Sequence, residues 1–197
     1  LIQRAHHAGY EAIALTDHVD ESNVDFVIPR IIKACDAANS TIPIQAVPGV
    51  ELTHVQPAHI SALVEKCRQL GARIIVMHGE TPVEPVPEGT NLNAIQAGID
   101  ILAHPGLISP EAVQLAARNN VCLEITSRKG HSLSNGHVAR LASQYGAELV
   151  LNTDAHSPGD LISIPYAKKV AVGCGLEEDA FVTMLNNSRR LLARIFA

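Results

Sequence analysis

Leu149-Val150-Leu151-Asn152-Thr153-Asp154-Ala155-His156 is a short aliphatic run that climbs to a carboxylate and an imidazole. A run this short, without polar alternation, is the pattern of a strand buried on both faces, as parallel strands sealed between helices and a core are. The same ascent occurs upstream in Ile13-Ala14-Leu15-Thr16-Asp17-His18, Val47-Pro48-Gly49-Val50-Glu51, Ile74-Ile75-Val76-Met77-His78, Ile101-Leu102-Ala103-His104 and Val121-Cys122-Leu123-Glu124. Each run ends on a residue type that binds divalent metal. If the strands are parallel these ends gather at one rim, where β/α barrels assemble their catalytic residues.

Between the runs, Phe26 to Ala38, His59 to Leu70, Pro110 to Arg118 and Gly136 to Tyr145 carry apolar residues at helical spacing. Gly71 and Gly146 serve as helix stops, and Pro110 after Ser109 as a helix start. Strands alternating with helices of this size predict βαβ units with right-handed crossovers, an α/β fold. The tail from Glu177 to Ala197 is expected to form two helices joined near Asn186-Asn187. The proline-rich stretch from Thr81 to Gly89 follows His78 directly and reads as an active-site loop, so residues 1–197 are expected to form one domain. The opening segment Leu1 to Gly9 has helical spacing and a terminal glycine but no start signal, so the chain is expected to open inside a helix that begins upstream.

A chain that is 47% apolar and 18% charged is not disordered, and no stretch approaches the ~18 apolar residues of a spanning helix. With a net charge of −5 and no basic run, neither nucleic acid nor an anionic membrane is the expected partner; a small molecule is. The four cysteines are scattered and no secretory leader is legible in these residues, so reduced thiols and a cytoplasmic location are expected. Ten histidines against three Phe, three Tyr and no Trp favour metal chemistry.

Each strand-end residue taken alone has a structural explanation. His18 could be a hydrogen-bonded rim residue, Glu51 could cap the following helix, and His104 could anchor the turn at Pro105-Gly106. Together they share one end of every run, which accidents would not. Asp154 and His156, two apart at a strand end, are expected to point to one side. Zinc, iron and manganese accept mixed imidazole and carboxylate sets, and His18, Glu51, His78, His104, Asp154 and His156 are more donors than one ion needs. Two metals bridged by a carboxylate clamp in-line displacement at phosphorus and make hydroxide available near neutrality from a bound water. Ser127-Arg128-Lys129-Gly130-His131 follows the fifth run, and its Arg128, Lys129 and His131 are the expected substrate-binding residues, with a solvated basic turn as the alternative. Glu80 and Glu124 are expected to orient ligand imidazoles, Glu124 alternatively to pair with Arg128. His6, His7, His54, His59 and His137 are read as structural.

The series Thr16-Asp17-His18, Gly49-Val50-Glu51, His78-Gly79-Glu80, Ala103-His104-Pro105-Gly106 and Asp154-Ala155-His156 resembles, in order and over nearly the whole chain, the PHP (polymerase and histidinol phosphatase) family of metal-dependent phosphoesterases. The resemblance implies a distorted (β/α)7 barrel, its first strand absent from this sequence, with two to three divalent ions (Zn, Mn or Fe). By that resemblance His18 and His156 hold one ion, His78 and His104 a second, and Glu51 bridges two. Asp154 serves the ion otherwise held by the family's opening His-x-His motif, which is expected upstream of Leu1. Glu51, Asp154 and His156 would be catalytic, in hydrolysis of a small phosphomonoester such as histidinol phosphate by metal-bound hydroxide. The alternatives are an amidohydrolase-like metal hydrolase, against which the absence of a strand-end lysine counts, and a noncatalytic PHP-like module.

Overall fold

The aliphatic runs do form parallel strands. In the computed structural model, which describes residues 1–196, β1 (Ala12–Leu15), β2 (His18–Val19), β3 (Gln45–Leu52), β4 (Ile74–His78), β5 (Ile101–Ala103), β6 (Cys122–Thr126) and β7 (Leu149–Asn152) make one sheet. Its order is β1-β3-β4-β5-β6-β7, every pairing is parallel, and β2 also pairs with β3. β1 and β2 are two stretches of one path along β3: Leu15 lies opposite Pro48 and His18 opposite Glu51, and between them the Asp17 carbonyl accepts from Glu51 N at 3.1 Å. The sheet curls into a half-barrel with helices between the strands, as a distorted β/α barrel requires.

The helices are α1 (Ile2–His7), α2 (Val24–Asn39), α3 (Ile60–Gln69), α4 (Thr90–Gln96), α5 (Pro110–Asn119), α6 (Asn135–Tyr145), α7 (Ile164–Gly173) and α8 (Ala180–Phe196). Apolar spacing located α2, α3, α5 and α6. It missed α4, which is short and polar, and α7, whose start is written in Ser163-Ile164-Pro165 with the Ser163 hydroxyl accepting from Tyr166 N. The expected break at Asn186-Asn187 is wrong: α8 runs through both. Asn187 is buried and donates to the Leu149 carbonyl at 2.7 Å while accepting from Arg190, so an asparagine that signals a turn in sequence is here satisfied by the sheet. Ala197, the last residue of that expected tail, lies outside the described residues.

Alternation along the strands gives each face its partner. Val50, Leu52, Ile75, Met77, Leu102, Leu123 and Ile125 pack outward against the layer of helices. Val47, Ile74, Val76, Ile101, Cys122 and Val150 face the inside of the curl, where Leu191, Leu192 and Ile195 of α8 fill it. Three arginines of α8 fasten it: Arg189 to Glu11 at 3.1 Å, Arg190 to Glu148 at 2.7 Å and, a turn further on, Arg194 to Asp100 at 3.4 Å. Glu11, Asp100 and Glu148 each directly precede a strand, so α8 closes the N-terminal end of the half-barrel and leaves the C-terminal rim open.

Across the open side, Tyr10 OH donates to the Ile162 carbonyl at 2.8 Å and accepts from Ile162 N at 3.0 Å, tying the approach to β1 to the segment beyond β7. No helix among the described residues is long and apolar enough to cross a membrane.

Candidate metal centre

The inward positions near the strand ends are polar: Glu51 on β3, His78 on β4, Glu124 on β6 and Asn152 on β7. His104 and Asp154 follow β5 and β7 with φ of 29° and 47°, left-handed conformations that residues other than glycine rarely adopt and that cluster where function over-determines the backbone. Gly79 lets the ends of β4 and β5 close up, because a Cβ there would strike the Ala103 carbonyl. The His78 and His104 ring centroids consequently lie only 4.4 Å apart.

His104 is held on one side by Glu124. The Glu124 carboxylate takes a hydrogen bond from His104 N at 2.8 Å, lies 3.1 Å from His104 Nδ1 and accepts from Asn152 Nδ2 at 3.1 Å. The other ring nitrogen, His104 Nε2, faces Glu51 Oε1 at 3.7 Å, and both atoms are buried without a hydrogen-bond partner among the described residues. His131 joins this pair, its ring 4.3 Å from that of His104 and its Nδ1 2.8 Å from the Thr81 hydroxyl. His78, His104 and His131 together offer ring nitrogens within 4.8 Å of one another. Glu51 Oε2 points the other way, 3.7 Å from His18 Nε2, and the His18 ring lies 5.7 Å from that of His156. Glu51 therefore stands between two imidazole groups with one oxygen toward each.

Burial, reinforced by Glu124, Asp154 and Glu84, pushes the Glu51 carboxyl up to about 8, with His104 pulling the other way. Burial and the neighbouring His104 push His78 down to about 4. His18 and His131 are lowered as well, by burial and then by His156 and His104 respectively. His104 is the exception: burial opposes its protonation, but the Glu124 hydrogen bond and the Glu124 and Glu51 charges outweigh it. The lowered imidazoles of His18, His78 and His131, beside a buried carboxyl with an unpartnered oxygen, form a donor set that a divalent cation fits, since the ion would satisfy Glu51 Oε1 and His104 Nε2 together.

Several expectations need correction in detail. Asp154 and His156 do meet, His156 Nδ1 lying 3.4 Å from Asp154 Oδ1, but not on extended backbone: β7 ends at Asn152 and Asp154 has turned left-handed. Arg128 does not pair with Glu124. It reaches Asp154 Oδ2 at 3.8 Å and Asp160 Oδ2 at 3.4 Å, and with Lys129, Thr153, Ile162 and Tyr166 it lines a cavity of about 620 Å³. His131 is separated from that cavity and sits among the imidazoles. Glu80 pairs with no imidazole among the described residues; its carboxylate accepts from Asn91 N at 2.8 Å and its own N donates to the Asn91 side chain at 3.0 Å. His59 lies 3.0 Å from Glu21 and His137 2.8 Å from the Ile108 carbonyl. The sequence reading missed Glu84, from the proline-rich loop, whose carboxylate lies 3.1 Å from His78 Nε2 and 3.6 Å from His131 Nε2.

No family model matches the chain. It is 43% identical over 198 residues to uncharacterized protein MJ1295 of Methanocaldococcus jannaschii, covering 99% of this chain and 91% of that protein. It is 29% identical over 191 residues to Ribonuclease P protein component 3 of Methanosarcina barkeri, covering 89% of this chain and 73% of that one. A probable phosphatase of Shewanella piezotolerans is 29% identical over 175 residues, covering 75% of this chain and 66% of its own. Among solved structures, a chain of archaeal Ribonuclease P with mature tRNA superposes with a TM-score of 0.76 at 16% identity, over 98% of this chain and 86% of that one, which is a likeness of fold. The relatives named as Ribonuclease P components sit poorly with the expectation that nucleic acid plays no part.

Proposed function

The chain belongs to the same family as MJ1295 of Methanocaldococcus jannaschii, and from that premise and the rim geometry we propose that it is a metal-dependent phosphoesterase of the PHP type acting on a small phosphomonoester. The observation that carries the proposal is the unpartnered pair, Glu51 Oε1 and His104 Nε2, inside a cluster of imidazoles. A probable phosphatase among the relatives supports the choice of hydrolysis.

His78, His104 and His131 would hold one ion and His18 with His156 another, Glu51 offering an oxygen to each and Asp154 lying beside His156. Two to three such ions, Zn, Mn or Fe, would supply Lewis acidity toward a phosphoryl oxygen and a water of lowered pKa. The protein's own share is to keep His18, His78 and His131 neutral by burial and to fix the His104 ring through Glu124. Arg128 and Lys129, at the mouth of the adjoining cavity, would receive the non-reacting phosphate oxygens and the leaving group.

Protein loaded with Zn, Mn or Fe should hydrolyse para-nitrophenyl phosphate or histidinol phosphate and not amide substrates, and Glu51→Ala should abolish that turnover. Amide turnover without phosphatase activity would overturn the reading in favour of an amidohydrolase-like enzyme. The relatives named Ribonuclease P protein component 3 favour a second reading, a subunit of an RNA-containing assembly. Submicromolar binding of tRNA that weakens steeply with salt, unaffected by Glu51→Ala and without phosphatase turnover, would establish it instead.

A further inference from the structure

The proline-rich loop between β4 and α4 brings a carboxylate back onto the imidazoles. Gly79 to Gly89 contains neither helix nor strand among the described residues, and Pro82, Pro85 and Pro87 limit the paths it can take. Its root is fastened where Thr81 Oγ1 meets His131 Nδ1 at 2.8 Å, and a Cβ built at Gly130 would lie 3.6 Å from Val83, so the loop lies along the turn that carries His131. Glu84 hangs from this frame. One of its oxygens is 3.1 Å from His78 Nε2, the other 3.6 Å from His131 Nε2.

The two imidazoles are nearly closed to solvent, with side-chain exposures of 5% and 8%, whereas Glu84 is 44% exposed. The carboxylate thus enters a buried, nitrogen-lined space from outside, presenting one oxygen to each ring as a phosphate could. It hangs from an irregular loop, while His78 ends a strand and His104 is gripped by Glu124.

We propose that Glu84 is an exchangeable ligand of the metal position lined by His78, His104 and His131, a carboxylate that completes the donor set at rest and yields its place to an incoming phosphate. The inference rests on the metal-dependent reading above. Ligand exchange conserves charge type at the site: one anionic oxygen leaves as another arrives, and Arg128 and Lys129 line the cavity on the neighbouring turn.

The test compares wild-type protein with Glu84→Gln and Glu84→Ala, both on an exposed loop, by chelator competition for bound zinc and by calorimetric titration of the zinc-loaded protein with inorganic phosphate. Both variants should hold zinc about tenfold more weakly and bind phosphate about tenfold more tightly. Affinities within twofold of wild type for both ligands overturn the role of Glu84 alone, and weakened zinc with unchanged phosphate overturns the displacement. A wild-type protein that takes up no zinc, manganese or iron overturns the metal-dependent reading and this inference with it.

Discussion

Glu51 Oε1 and His104 Nε2 face each other at 3.7 Å, both buried and neither hydrogen-bonded among the described residues. Leaving a buried polar group unsatisfied costs about 1–3 kcal/mol, and a cation between the two removes the cost for both. Stoichiometric zinc or manganese should therefore raise the thermal midpoint, and Glu51→Gln should lose most of that rise. In chelator the same variant should be at least as stable as wild type, because its amide can donate to His104 Nε2. Calorimetry with and without metal measures both; a wild-type midpoint indifferent to every divalent ion tried would count against the centre.

In the metal-free protein the raised Glu51 carboxyl has a definite consequence for stability. With a native pKa of about 8 against an ordinary 4.5, the folded state keeps a proton that the unfolded chain has released, so stability falls as pH rises through that window. His78, pushed down to about 4, acts oppositely: its contribution is lost as pH falls from 6.5 toward 4. The two slopes cancel in part below pH 6.5. Above it Glu51 dominates, and the raised His104 adds in the same direction. Chelated wild type should lose on the order of 2 kcal/mol between pH 6.5 and 8, and Glu51→Gln should lose much less. Urea denaturation at the two pH values decides it; equal slopes in the two proteins would show that Glu51 ionises freely.

Gly106 follows His104-Pro105 with φ of +64°, and a Cβ on it would collide with the Glu80 carbonyl. Gly106→Ala combines a left-handed penalty with a backbone clash, so it should destabilise the protein by about 2 kcal/mol or more and weaken metal retention by displacing His104. Urea unfolding and chelator competition on the variant would reveal both effects. A variant as stable as wild type would mean that the turn can open without disturbing β5.

How far the sequence reveals this molecule depends on which signals are local. Strands buried on both faces write themselves as aliphatic runs, so the parallel sheet and the rim where Glu51, His78 and His104 meet are legible in the sequence. Asn187 misled because asparagine is a turn former in isolation, and only the Leu149 carbonyl, 38 residues away, explains its place inside α8. His131 was grouped with Arg128 and Lys129 by adjacency in the chain. The tight turn through Gly130, at φ of +92°, instead carries it back to His104, and no spacing rule encodes that reversal. Glu84 escaped notice for the same reason, since its partners are fixed by the path of a loop and not by the end of a strand.

Glu124 offers the sharpest test of how the centre is positioned. Fully enclosed, it would be expected to titrate high, yet the His104 hydrogen bond and charge, with Asn152 and the His104 amide, outweigh burial and hold its carboxyl below the ordinary range. It therefore stays ionised and holds the His104 ring so that Nε2 faces Glu51. Glu124→Gln keeps the volume but replaces one acceptor oxygen with a donor, which cannot serve Asn152 and His104 together. Partners of this kind typically contribute 10–100-fold to metal affinity when removed. The variant should fold, as judged by circular dichroism, and hold zinc 10–100-fold more weakly in chelator competition. It should also show a lowered His104 pKa by NMR titration of the metal-free protein, because the charge that favours the imidazolium has gone. Unchanged zinc affinity alongside a shifted His104 would mean that the ring is oriented by packing against His78 and His131 and that Glu124 serves only its charge.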